Sequence, residues 1–167
     1  MDQKTMVNLS AALVPVVLAL IWYNPYLFGR LWGKEAGFTK ESLTVTKVLL
    51  IAVLTFIAGY NIANALGSIV IHQHGVYAML AGNPDVHTKG TQLNTTVQWL
   101  MDNYGQNYRT FKHGAYHGYN TGLYFVLPLL LIIGVVENKR VWWILIHAAY
   151  FTACLALMGG IVCGYMP

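Results

Sequence analysis

Apolar residues in this chain fall in long unbroken runs rather than in alternating or one-faced patterns. Four runs are long enough to cross a bilayer as helix, which takes about 20 residues. They lie near residues 7–28, 45–71, 113–136 and 141–165. Backbone groups in hydrocarbon must pair within their own segment, so each run is predicted to be a transmembrane α-helix. The predicted fold is all-α, one four-helix transmembrane domain over residues 1–167. Pro15 and Pro128 fall inside the first and third helices and predict kinks. Lys47 lies near a helix end, where its ammonium can snorkel to the interface. Lys4 before an apolar run has the outline of a signal peptide. The run continues into bulky Ile21-Trp22-Tyr23-Asn24-Pro25-Tyr26-Leu27-Phe28 without a small-residue cleavage site, so it reads as a retained helix.

The connection 72–112 is the unusual part, because structureless loops beyond about 15 residues are uncommon. Within it Leu93, Val97, Leu100, Met101 and Tyr104 recur at helical spacing, and Gly105 follows as a C-terminal cap. This predicts a short amphipathic helix, lying on the membrane surface, across the bundle mouth, or packed on the bundle. Asn83-Pro84-Asp85 predicts a turn. Asn94-Thr95-Thr96 fits a glycosylation sequon, which matters only in a eukaryotic secretory compartment.

Composition narrows the class. The chain is 56% hydrophobic and 10% charged, where soluble domains carry about 25% charged residues. The net charge of +4 is scattered among loops, which argues against a nucleic-acid surface. Cys154 and Cys163 share the last helix at a rise of about 13 Å. That is too far for a disulfide, so both are read as packing residues. With four spans, both termini and the 72–112 loop share a side, which carries Lys4, Lys89, Arg109 and Lys112. The other side carries Arg30, Lys34, Lys40, Lys47, Lys139 and Arg140. The excess predicts that second side as cytoplasmic and both termini as periplasmic, in an inner membrane. Trp22, Tyr23, Tyr26, Trp32, Trp142 and Trp143 gather on the inner side as interface anchors.

Small residues spaced four apart let membrane helices approach closely. The third helix has Gly114, Gly118 and Gly122; the second has Gly59, Ala63 and Gly67; the fourth has Gly160 and Gly164. The rows predict tight contact of the second and third helices, and the same surfaces could join two copies.

Polar residues within spans are where chemistry is sought. His113, His117, Asn120 and Tyr124 share one face of the third helix. Asn61 and Asn64 lie in the second, and His72 and His74 at its end. The antiparallel order brings His72, His74, His113 and His117 to one membrane side, with Asp85 and His87 in the loop between. Imidazoles at i and i+4 can bind zinc or copper, and a haem between two histidines is a variant. A polar path for a solute and simple interfacial hydrogen bonding are the other readings. His72 and His74, two apart, cannot share one helix face, which weakens a four-histidine site unless the helix ends between them. His147 lies near the opposite side and reads as a packing or hydrogen-bonding residue. Glu137 beside Lys139 and Arg140 reads as a solvated ion pair. The chain has no P-loop, dinucleotide fingerprint or serine elbow, so the reading leans away from an enzyme.

Trp22-Tyr23-Asn24-Pro25, then Leu27-Phe28-Gly29-Arg30 and Trp32, resembles the first-helix signature of the bacterial domain of unknown function 1761 family. Leu127-Pro128 with Glu137, Ala149-Tyr150, and Leu157-Met158-Gly159-Gly160 look like the same family. Arg109 to Gly118 and Ile71-His72-Gln73 look like a branch with an enlarged second loop. Many members have Gly where this chain has Ala149. The resemblance implies a small multi-helix membrane protein without an established biochemical role, and it supplies no catalytic residues. Its motif residues Trp22, Tyr23, Pro25, Phe28 and Gly29 are expected at the end of the first helix, with Pro25 and Gly29 ending it. Lys112, His113 and His117 mark the opposite end.

The leading expectation is a structural or accessory membrane component without a cofactor, embedded in the bilayer and assembling with itself or a larger complex. The alternative is a metal- or haem-binding protein using His113 and His117 with His72 or His74. Small-solute transport by an oligomer comes third.

Overall fold

The computed structural model describes residues 1–36 and 44–167, and all regular structure among them is helical. Lys40, one of the charges counted for orientation, lies outside the described residues. The elements are α1 (Gln3–Trp22), α2 (Gly29–Ala36), α3 (Val45–Val70), α4 (Gln73–Met79), α5 (Gln92–Tyr104), α6 (Phe111–Thr121), α7 (Leu127–Val136) and α8 (Val141–Tyr165). A π-helical segment, Gly122–Val126, joins α6 to α7 in one span, Phe111–Val136. Among the described residues four helices are long and apolar enough to cross a membrane: α1, α3, α6–α7 and α8. Each begins where the chain supplies a break. Asp2, Thr44 and Thr110 accept from the amides of Thr5, Lys47 and His113, pairing helix-start donors that hydrocarbon could not satisfy.

The first helix ends at Trp22, six residues short of the expected 28. Pro25 offers no amide hydrogen and pushes Asn24 out of the helical region. The chain turns instead: the Asn24 carbonyl accepts from Leu27 and Gly29, and its side chain accepts from Tyr26. A Cβ at Gly29 would overlap the Tyr23 carbonyl oxygen, so the turn admits only glycine there. The distortion expected from Pro128 is the π segment itself, where the ladder rearranges one turn ahead of the missing amide. Near the other proline the Tyr150 hydroxyl donates to the Pro15 carbonyl at 2.6 Å, tying α1 to α8.

Helix α8 is the centre of the bundle. Its buried residues run from Ile144 to Cys163 on every side of the helix, whereas α3 and α6–α7 bury little of their length. The glycine rows work differently from expectation. Gly114, Gly118 and Gly122 close onto α8, not onto α3: a Cβ at Gly114 would strike the Gly159 carbonyl, at Gly118 the Leu155 carbonyl, and at Gly122 the Thr152 side chain. Gly160 and Gly164 face Phe111 at the start of α6. The row on α3 divides. Gly59 meets Ala12 and Pro15 of α1, Ala63 is fully buried, and Gly67 faces His74 and Met166. The reason is that α8 carries small residues on the side it turns to α6, while α3 leans on α1.

Both termini share one end, where Gln3 Nε2 donates to the Tyr165 carbonyl at 3.2 Å. The 72–112 connection closes the same end. The amphipathic helix forms as α5, with Val97 buried, Trp99 exposed and Gly105 as its C-cap. It rests on the short turn Pro84–Val86, where Asn94 Nδ2 donates to the Val86 carbonyl at 2.8 Å. Gln73 Nε2 donates to the Asn107 carbonyl at 2.9 Å, tying α4 to the stretch after α5. Cys154 and Cys163 are buried free thiols. At the opposite end Lys139 pairs with Glu137 at 3.6 Å, and Arg140 reaches Glu35 of α2 at 3.5 Å.

Candidate functional site

Three of the four candidate histidines meet at the end that holds the termini. Helix α3 stops at Val70, and Ile71 turns to extended backbone while its side chain stays in the core. His72 therefore leaves the helix and projects toward α6. There Thr110 caps the first turn, and the glycine contacts with α8 fix the helix in rotation. His113 and His117, one turn apart, then present one face to His72. The metal-ligating nitrogens of His72, His113 and His117 all lie within 4.8 Å of one another. The Nε2 atoms of His72 and His113 are 2.9 Å apart. The ring centroids are separated by 4.9 Å for His72 and each partner and by 4.5 Å for His113 and His117, all edge to face.

Residues 108–110 strap this cluster to the bundle. Tyr108 has a φ of +62°, a conformation that costs a bulky residue about 1–3 kcal/mol and is retained where its surroundings enforce it. Its ring lies 5.1 Å from that of His113 and edge-on to His72. The next residue, Arg109, donates from Nε to the Cys163 carbonyl at 3.2 Å and from Nη2 to the Met166 carbonyl, meeting the unpaired end of α8. The Cys163 thiol lies 3.3 Å from both the Val70 and Tyr108 carbonyls, where α3, the strap and α8 converge. Neither Tyr108 nor the capping role of Arg109 stood out in the sequence. Their only signal was their position just before the helix that carries His113.

His74 does not join the cluster. The helix does end near these residues, but it ends before both of them. His74 lies within the new short helix α4 and packs over Gly67. Asp85 and His87 stay exposed in the connection. Further along α6 and into the π segment, His117, Asn120 and Tyr124 line one groove, as their shared face predicts. Asn64 bonds across the bundle: Asn8 Nδ2 donates to its Oδ1 at 2.9 Å. Asn61 bonds back to its own helix, at the Ile57 carbonyl.

The other end contains a single histidine. His147 Nδ1 lies 2.8 Å from the Tyr23 hydroxyl, and its ring stacks edge-on to Trp143 at 4.5 Å. Trp22 Nε1 donates to the Ile146 carbonyl at 3.2 Å. Trp22 and Tyr23 thus dock onto α8 and are half-buried. Phe28 folds back on Trp22 with ring centroids 4.8 Å apart. These contacts explain the Trp22 to Gly29 motif. It is a turn whose aromatics clip α1 and α2 to α8.

Fold and site together define a four-span α-helical membrane protein with three histidines converging at one end of its bundle. Over residues 7–163, nearly the whole chain, the sequence matches the family described as protein of unknown function (DUF1761), and the protein belongs to that family. No curated protein and no solved structure matches the chain.

Proposed function

We propose that the protein binds one transition-metal ion, zinc or copper in class, on His72, His113 and His117 at the membrane face shared by its termini. The observation that carries this reading is the convergence of three imidazole nitrogens from two separate segments within 4.8 Å. Zinc bonds imidazole at about 2.0–2.1 Å, and three protein ligands leave a fourth position for water or a small ligand. Small rotations of the three rings bring the nitrogens around one ion. Two nitrogens at 2.9 Å also need something between them, a proton or a metal, because two lone pairs in contact repel. A single ion suits the arrangement better than a haem, whose plane would have to pass between axial imidazoles that here touch.

The assembly reading has less support. The glycine rows that could have joined copies are occupied within one chain, so a homo-oligomer or larger complex would have to use other surfaces. The loop charges support placing the histidine end on the periplasmic side of an inner membrane. There the ion would exchange with the periplasmic solution.

The test is elemental analysis of protein purified in mild detergent without chelators, then reloaded with zinc or copper. About one ion per chain is expected. His74→Ala and His147→Ala should retain it, while His113→Ala and His117→Ala should lose it. A reloaded protein that holds no stoichiometric metal, or holds it equally in all four variants, would falsify the reading. Lowering the pH from about 7.5 to about 5.5 is expected to release the ion, because protons compete for the imidazole lone pairs.

A further inference from the structure

A groove of about 1400 Å³ runs between α3 and the α6–α7 span, with α1 and α8 completing its walls. Its lining on α3 extends from Val48 to Ile69, a rise of about 30 Å, close to the full hydrocarbon thickness of a bilayer. No Asp, Glu, Lys or Arg is among the described residues that line it. Such walls offer no counter-charge to a phosphate or carboxylate, so the groove suits an amphiphile whose head is neutral.

The groove carries polar groups toward both ends: His117, Asn120 and Thr121 near the histidine cluster, and Tyr23, Trp32, His147 and Tyr150 at the far end, where four aromatic rings gather. The far-end rings form an aromatic wall packed around Tyr23, whose ring is 5.0 Å from Trp32, 5.2 Å from Tyr150 and 5.8 Å from His147. His147 is also a poised hydrogen-bonding group. Its Nδ1 is engaged by the Tyr23 hydroxyl at 2.8 Å, while its Nε2 has no hydrogen-bond partner among the described residues. With Tyr23 donating to Nδ1, the neutral ring carries its proton on Nε2 and can donate to a carbonyl oxygen. We propose that this groove binds an isoprenoid quinone. The flat head lies among Tyr23, Trp32 and His147 with one carbonyl at His147, and the tail follows α3. The aromatic wall selects the quinone over other neutral lipids, because ring faces attract a planar conjugated head and give a glycerol ester little. The apolar walls accept any hydrocarbon tail, so recognition belongs to the head. This inference does not rest on the metal reading, since its head site lies at the other end of the bundle.

The experiment uses the full chain in phosphatidylcholine nanodiscs, titrated with decylubiquinone and read by quenching of tryptophan fluorescence. Saturable quenching is expected, weakened about tenfold or more in His147→Ala and several-fold in Tyr23→Phe. Ala58→Phe, which fills the groove from α3 without touching the head site, should abolish saturation and covers the case in which His147→Ala does not fold. Dioleoylglycerol in excess should fail to displace the quinone. Quenching that rises linearly with added quinone, saturable quenching unchanged in the folded variants, or displacement by dioleoylglycerol would each overturn the proposal.

Discussion

The two ends of this bundle use histidine in opposite ways. At the end with the termini, His72, His113 and His117 turn their nitrogens toward one another, with the Tyr108 ring laid against His113 and the Tyr116 ring edge-on to His117. At the far end His147 is alone and is held by a phenol hydroxyl and two aromatic rings. The first arrangement leaves several lone pairs competing for one space, which an electrophile such as a metal ion resolves. The second already has a partner for one nitrogen and leaves the other with a single direction in which to bond. The same side chain is therefore suited to coordination at one end and to oriented hydrogen bonding at the other. What differs is the number of imidazoles that the helix ends bring together.

The largest effect on that comparison should come from the backbone contact beneath the histidine cluster. Gly118→Ala puts a methyl into the Leu155 carbonyl, and is expected to cost about 4 kcal/mol or more and to displace His117. Gly67→Ala meets only His74 and Met166 at 3.7 Å and beyond, and should stay within about 0.5 kcal/mol. Thermal unfolding in detergent separates the two, and equal losses would mean that the row on α6 is not the tighter interface. Next comes the cluster itself. His72→Ala should weaken zinc binding at least about 100-fold, since even outer partners of metal ligands contribute 10–100-fold. His74→Ala should leave it unchanged. Isothermal titration with zinc decides this, and equal losses in both variants would return His74 to the site.

At the far end Tyr23→Phe removes one hydrogen bond without leaving a cavity. It should lower stability by about 1 kcal/mol and leave zinc affinity intact. A fall in zinc affinity would show that the two ends are coupled through α8. The smallest loss expected, apart from the two near-neutral controls Gly67→Ala and His74→Ala, is that of Asn64→Ala, which breaks the Asn8 bond between α1 and α3. Interhelical hydrogen bonds in membranes contribute about 0.6 kcal/mol on average, and thermal unfolding measures the loss.

Much of the fold is legible along the chain because hydrocarbon imposes a local rule: a long apolar run must satisfy its own backbone. That rule places the spans beginning at Val45, Phe111 and Val141 within a few residues. It misplaces the end of the first, because Tyr23 to Phe28 are as apolar as a helix and only the turn made by Asn24, Pro25 and Gly29 ends it. The histidine face of α6 is readable from the spacing of His113 and His117. The choice of His72 over His74 is not, because it depends on Ile71 turning the chain one residue before the pair. The glycine rows announce close contact, but a row of small residues on one helix fits any partner with room for it. Only the assembled bundle shows that Gly114, Gly118 and Gly122 fit α8.

The sequence by itself determined four spans, a shared side for the termini and the long connection, the amphipathic α5, and a set of histidines near one end. These follow from properties read one segment at a time: length, apolar content and period. Tertiary structure decided which helix is central, which histidines meet, and that Tyr23 answers His147 across the bundle. Those outcomes depend on how helices rotate and lean against one another, and that is set by backbone approach at a few glycines and by helix ends. No single segment carries that information.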